Sequence, residues 1–212
     1  MNSGPSSADL LRREDDPELR QVVAELRAGV RVETNSRRIF DRYYSWVWRY
    51  FRRLRYSAED SEDMAQETFE RVFRQLDSFR EDGSFKSWLF AVAANLHRNE
   101  NRWRHREKRN APEVPLDAGD DEGAPLREPV ASGISPAREI YERERREALA
   151  RVVKSLPPQM GQVLALRTDQ DLKYREIAAV LQISVETVKA HLFQARQRLR
   201  AELGEDFGEW ME

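Results

Sequence analysis

The chain has 212 residues and a mass of 24.9 kDa, a length that allows one medium domain or two small ones. Charged residues make up 35 % and hydrophobic residues 40 %, so small cores are expected and a large one is not. Cysteine is absent, which excludes disulfides and cysteine-ligated zinc, and three scattered histidines (His97, His105, His191) make no metal site by themselves.

No apolar run approaches the roughly 20 residues of a membrane span. The first residues, MNSGPSSADLLRREDD, lack a hydrophobic signal core, so a cytoplasmic chain is expected. The net charge of -2 hides a segregated pattern that matters more than the sum.

Residues 1–16 are small and polar and are expected to be disordered. Helical spacing then begins at Pro17, with Leu19, Val22, Val23 and Leu26 on one side and Gly29 as a stop. Residues 36–56 read as a second helix, aromatic on one side and arginine-rich on the other. A third starts at Ser57 or Ser61 and carries Met64, Ala65, Phe69, Val72, Phe73 and Leu76 at three- and four-residue spacing. A loop at 77–84 precedes a fourth helix, from about Phe85 to Arg104, with Trp88, Leu89, Val92, Ala93 and Leu96 on its apolar face.

Residues 111–136 hold five of the nine prolines, three of the nine glycines, and six acids against one arginine. That composition predicts an extended acidic linker without a core, and a domain boundary falls there. Helical pattern resumes at about 138 and runs to 154. Ser155-Leu156-Pro157-Pro158 restarts a helix that continues to about Thr168. Two more are expected, Lys173–Leu181 and Val185 to about Leu203. No segment alternates well enough to be a strand, so the expected fold class is all-α, in two helical domains.

The last two helices predict a helix-turn-helix. Ile177, Ala178 and Leu181 form one apolar stripe, and Val185, Val188 and Leu192 the next, across the break Gln182-Ile183-Ser184. Ser184 is placed to cap the second helix and Glu186 complements its positive end. That helix would enter the major groove, with Glu186, Thr187, Lys189, Ala190, Phe193, Gln194 and Arg196 to Arg200 outward. Gln182 stands where such turns often use a left-handed glycine, at a cost of about 1 kcal/mol. A charged αα-hairpin is the plainer alternative.

The stretch SLPPQMGQVLALRTDQDLKYREIAAVLQISVETVKAHLFQARQRL resembles region 4 of the sigma-70 family, in its extracytoplasmic-function group. Residues 60–69, DSEDMAQETF, and 79–96, FREDGSFKSWLFAVAANL, resemble region 2 of the same family. The resemblance implies a sigma-2 helical bundle over 17–109 and a sigma-4 domain over 138–204. A linker (110–137) would join them, and a short tail (205–212) would follow.

It also implies roles. Glu62, Asp63, Gln66 and Glu67 would dock on the clamp helices of the largest RNA polymerase subunit, with the flap a second contact for the chain. Phe79, Phe85, Asn95, Arg98 and Arg102 would handle the minus-ten promoter element, with Trp88 as core. Thr187, Lys189, Ala190, Phe193, Gln194 and Arg196 would meet the minus-thirty-five element. Ala190, His191 and Gln194 depart from residues common in relatives, which affects the promoter sequence more than the docking. Promoter DNA, core polymerase and an anti-sigma factor are the implied partners, with no cofactor and no small-molecule substrate. The acidic linker is either a tether or a nucleic-acid mimic.

Two other readings carry different expectations. A response-regulator-type transcription factor would suit ETVKAHL, but it needs an α/β receiver, and the first half shows no strands. A helical hydrolase would use the carboxylates of residues 62–67, but no His or Cys cluster, glycine-rich phosphate loop or G-x-S-x-G accompanies them.

Overall fold

A computed structural model describes residues 17–80, 83–110 and 136–203. The expected N-terminal segment, most of the acidic linker and the tail lie outside the described residues. Among the described residues all regular structure is helical and there is no strand.

Helix α1 (Pro17–Arg27) buries Val22 and Val23. Gly29, at φ +70, turns the chain, and Arg31 is also left-handed. Helix α2 (Val32–Arg53) starts four residues earlier than its aromatic pattern predicts. The extra turn has a use. Asn35 is buried, and its amide donates to Glu25 Oε2 at 2.8 Å and to the Val30 carbonyl at 3.1 Å. Arg31 donates to Glu25 Oε1 at 2.5 Å, so one carboxylate ties α1 to the start of α2.

Helix α3 (Ala58–Arg74) starts at Ser57, which settles the choice of cap. The Asp60 N–H donates to Ser57 Oγ at 3.0 Å, and Glu59 and Asp60 face the positive helix end. A single 3₁₀ turn, Leu76–Ser78, follows. Arg27 donates to the carbonyls of Leu76 (3.2 Å) and Phe79, clamping α1 onto this turn. Helix α4 (Phe85–Asn110) runs six residues beyond its expected end.

An aromatic layer fills the first half. Tyr50 and Phe90 meet edge-on at 5.5 Å, as do Tyr50 and Phe51. Phe51, Phe90, Leu89 and Val47 are wholly buried. Each such side chain contributes roughly 1.5–3 kcal/mol.

In the second half, α5 (Pro136–Ser155), α6 (Pro158–Thr168), α7 (Tyr174–Leu181) and α8 (Val185–Leu203) form a small bundle. Pro157 caps α6 and Pro158 opens it, where a missing N–H costs nothing. Leu166, Leu172, Ile177 and Val188 are among its deepest residues. The two halves are not separate in space: α2 packs on α6 and α4 on α7, and one apolar cluster runs through both.

Candidate nucleic-acid interface

The acidic face of α3 is built by helical period. Met64, Ala65, Thr68, Phe69 and Val72 point inward and are buried. Glu62, Asp63, Gln66 and Glu67 therefore share the opposite side, and all four are exposed. Glu67 pairs with Arg71 one turn on, at 2.5 Å. Phe73 packs partly buried on Phe69, with ring centres 6.2 Å apart.

On α4 the five residues expected to meet the minus-ten element divide. Asn95 and Arg102 are exposed, and Arg98 is half-buried. Phe79 and Phe85 are buried, with ring centres 5.4 Å apart, and both pack on Trp88. Both rings thus pack in the aromatic core of the first half. Trp88 lies in the same aromatic group, in keeping with a core role.

The helix-turn-helix has the geometry its sequence predicts. Gln182 adopts φ 57, ψ 45, the left-handed conformation at the end of α7. The Ile183 N–H donates to the Ala178 carbonyl at 3.0 Å and closes the turn. Ser184 caps α8: the Thr187 N–H donates to its Oγ at 3.0 Å, and the two hydroxyls lie 2.9 Å apart. Lys189, Ala190, Phe193 and Gln194 are exposed, and Phe193 is 61 % so. Thr187 and Arg196 are half-buried.

One part of the outward face is corrected. Leu199 lies inside the run expected to face out, yet it is buried with Val188, Leu192 and Ala195. An unbroken run of five residues on a helix always returns one to the core side. His191 is half-buried, and among the described residues neither of its enclosed ring nitrogens has a hydrogen-bonding partner.

Polar contacts join the two halves. Arg53 Nε donates to Asp169 Oδ2 at 2.9 Å, and Arg55 donates to the carbonyls of Leu156 (3.0 Å) and Lys154. Ser87 Oγ donates to Glu176 Oε1 at 2.5 Å, while Glu176 Oε2 accepts the Lys173 N–H at 2.8 Å. One carboxylate thus caps α7 and fastens it to α4. Arg98 Nη1 donates to Gln182 Oε1 at 2.6 Å. Two of these partners, Arg55 and Gln182, sit at positive φ. No local sequence signal marks such pairs, which join residues some 84 to 116 apart.

Among the described residues no cluster of His, Cys, Asp and Glu could hold a metal ion. No described helix is long and apolar enough to cross a membrane.

Comparison with known proteins is consistent across both halves. The family model described as Sigma-70 region 2 matches residues 39–109, and that described as Sigma-70, region 4 matches 146–199. The RNA polymerase sigma-H factor of Pseudomonas aeruginosa is 30 % identical over 173 residues, covering 80 % of this chain and 88 % of that one. The ECF RNA polymerase sigma-E factor of Escherichia coli K12 is 31 % identical over 140 residues, covering 66 % and 72 %. Two solved structures share the fold. The sigma factor RpoE from Bartonella quintana, in complex with the anti-sigma factor NepR, has a TM-score of 0.61 at 20 % identity, covering 80 % of this chain and 97 % of that one. CnrH, in complex with the cytosolic domain of CnrY, has a TM-score of 0.58 at 21 % identity, covering 86 % and 94 %.

Proposed function

The chain belongs to the sigma-70 family, in its extracytoplasmic-function group, and from this we propose a division of labour among its exposed faces. As a sigma factor it binds core RNA polymerase and brings it to promoter DNA; the response-regulator alternative is not favoured. The assignment of individual residues is our reading.

We assign Glu62, Asp63, Gln66 and Glu67 to the polymerase clamp helices, where acids and an amide would meet a basic surface. Asn95, Arg98 and Arg102 are assigned to minus-ten DNA, with Phe79 and Phe85 as the rings that support the loop. Lys189, Ala190, Phe193 and Gln194 are assigned to minus-thirty-five base edges, and Thr187 and Arg196 to the backbone. Residues 17–109 would form the first functional domain and 138–204 the second, joined by 110–137. We read the role as one of binding and not of catalysis, carried out in the cytoplasm where polymerase works. An anti-sigma protein is included among the partners, because the sigma factor RpoE of Bartonella quintana, which shares the fold, was solved with one.

The observation that carries this reading is the separation of three exposed faces, each on a rigid helix and each with a distinct chemistry. An acidic stripe lies on α3, an Asn and Arg stripe on α4, and a mixed reading face on α8. In vitro transcription tests it. Core polymerase plus this chain alone should start at specific sites across a genomic library. A requirement for another sigma factor would overturn the reading.

A further inference from the structure

Arg27 ends α1, and its half-buried side chain reaches a turn 49 residues further along the chain. Its Nη2 donates to the Leu76 carbonyl at 3.2 Å and also to the Phe79 carbonyl. The guanidinium lies 5.7 Å from the centre of the Phe79 ring. The Leu76 carbonyl already accepts the Phe79 N–H at 3.1 Å. A single turn of neutral backbone thus gains a planar, charged clamp, stronger and more directional than a neutral donor.

Both sides of this clamp are anchored. On the same helix Val22 and Val23 are buried, and Glu25 accepts from Asn35 of α2 at 2.8 Å. On the far side the Phe79 ring packs on Phe85 and Trp88 in the first turn of α4, with ring centres 5.4 and 5.5 Å away. The Gly83 N–H donates to the Arg80 carbonyl at 3.1 Å, and Ser84 Oγ accepts the Ser87 N–H at 3.3 Å where α4 begins. The chain that leaves α3 is therefore held by its backbone from α1 and by its ring from α4. Arg27 lies outside the segment matched by the region 2 family model, which begins at residue 39.

A segment that must be ordered on binding subtracts the cost of that ordering from affinity, and one ordered beforehand does not. We infer that Arg27 is a positioning residue for minus-ten recognition, fixing the Leu76–Arg80 backbone so that the connection into α4 is ordered before DNA arrives. This rests on the minus-ten assignment of α4 and of the loop before it. Arg27 touches no DNA in this role and acts through Phe79.

The test uses holoenzyme assembled with core polymerase and a fork probe with a single-stranded minus-ten segment. Arg27→Gln should bind the fork about 5- to 10-fold more weakly, with core affinity within about 2-fold of the parent. Amide hydrogen exchange at Phe79 and Gly83 should speed up about 10-fold or more in the same variant. Val23→Ala is the comparison, because it destabilises α1 from its buried side and leaves the clamp in place. It should melt below the parent yet keep its fork affinity and its protection at Phe79 and Gly83. Equal losses in Arg27→Gln and Val23→Ala would reduce Arg27 to ordinary stability and overturn the proposal. Unchanged fork binding by Arg27→Gln, with Asn95→Ala and Arg102→Ala still defective, overturns it too and leaves the minus-ten assignment standing. If no variant affects the fork, the assignment itself falls, and this role with it. Arg27→Lys keeps the charge but not the planar fork, and it carries the same comparison, with a smaller loss in the same direction, if Arg27→Gln melts too low to assay.

Discussion

Arg98 of α4 and Gln182 in the turn of the helix-turn-helix, 84 residues apart in sequence, meet at 2.6 Å. The contact joins a residue assigned to minus-ten DNA to the segment that precedes the minus-thirty-five helix. By their names these elements lie about 25 base pairs apart, on the order of 80 Å of duplex. From Gln182 to Phe193 the backbone covers no more than about 25 Å, counting the turn as extended and the rest as helix. One promoter cannot fill both faces while this contact holds, so promoter binding requires the halves to part. The 25 residues between Asn110 and Pro136 can reach about 80–90 Å when extended, enough to allow it. The absence of cysteine makes a labelled pair simple to build. Glu33→Cys and Arg200→Cys, both exposed, should report a separation that grows by tens of ångströms from free chain to promoter complex. An unchanged separation would contradict the requirement.

Gln182→Gly separates two effects that the parent combines. Glycine adopts the left-handed turn freely, so the helix-turn-helix should gain up to about 1 kcal/mol. The same change deletes the acceptor for Arg98. The variant should melt no lower than the parent, yet its labelled halves should show a broader and longer distance distribution in the free chain. A narrow, parent-like distribution would mean that Arg53–Asp169 and Ser87–Glu176 suffice to hold the halves together. The Arg53–Asp169 pair is partly exposed, so a contribution near 1 kcal/mol or less is expected of it.

The exposed faces should respond independently. Asp63→Lys with Glu67→Lys places two cations where acids face a basic polymerase surface. Core affinity should fall at least 10-fold, with the second half's DNA contact intact. Lys189→Ala with Gln194→Ala removes polar groups from α8 and should weaken promoter use while core binding survives. A pull-down with core polymerase and a promoter-binding assay, run on both double variants, distinguish the two. If the α8 variant lost core binding instead, the roles of the two halves would be wrong.

The helices were legible because their signals are local. The Ser57 and Ser184 caps, the Gly29 stop and the left-handed Gln182 all act within a few residues, and each stands where the spacing places it. The inward and outward sides of α3 followed from period alone. Phe79 and Phe85 show where this reasoning stops: in sequence an aromatic residue beside a loop suits a base platform and a core equally well, and the packing of both rings on Trp88 is visible only in three dimensions. Leu199 shows a different limit: residues 196–200 span more than one helix face, so the run returns one side chain to the core. The contacts between the halves join residues far apart in the chain, and no composition or spacing announces them.

Glu25 should make stability depend on pH on the acid side. The hydrogen bond from Asn35 lowers its pKa first, and those from Arg31 and Gln21 add to this. A carboxyl whose pKa is lower in the folded chain stabilises it above the unfolded value, about 4.3 for glutamate, and loses that contribution as pH falls through the folded value. Glu25→Gln should therefore melt below the parent at neutral pH, and the two should converge in strong acid. Parallel melting curves across the whole acid range would show that the carboxylate adds nothing specific.

Tyr50 offers the opposite case, a group whose removal should do no harm. Its ring is buried and packs edge-on against Phe51 and Phe90, at 5.5 Å from each. Its hydroxyl is enclosed with no hydrogen-bonding partner among the described residues, and burial pushes its pKa well up, so it stays protonated. An enclosed, unbonded hydroxyl costs about 1–3 kcal/mol, whereas the ring contributes through packing. Tyr50→Phe keeps the ring and removes the cost. Its unfolding free energy should equal or exceed the parent's, by up to about 2 kcal/mol. Phe90→Ala, which removes the neighbouring ring and leaves a cavity, should lose about 3–5 kcal/mol. Chemical denaturation of both variants compares them directly. A loss above about 1 kcal/mol for Tyr50→Phe would mean that the hydroxyl is satisfied in solution, and that this core is built around a polar contact.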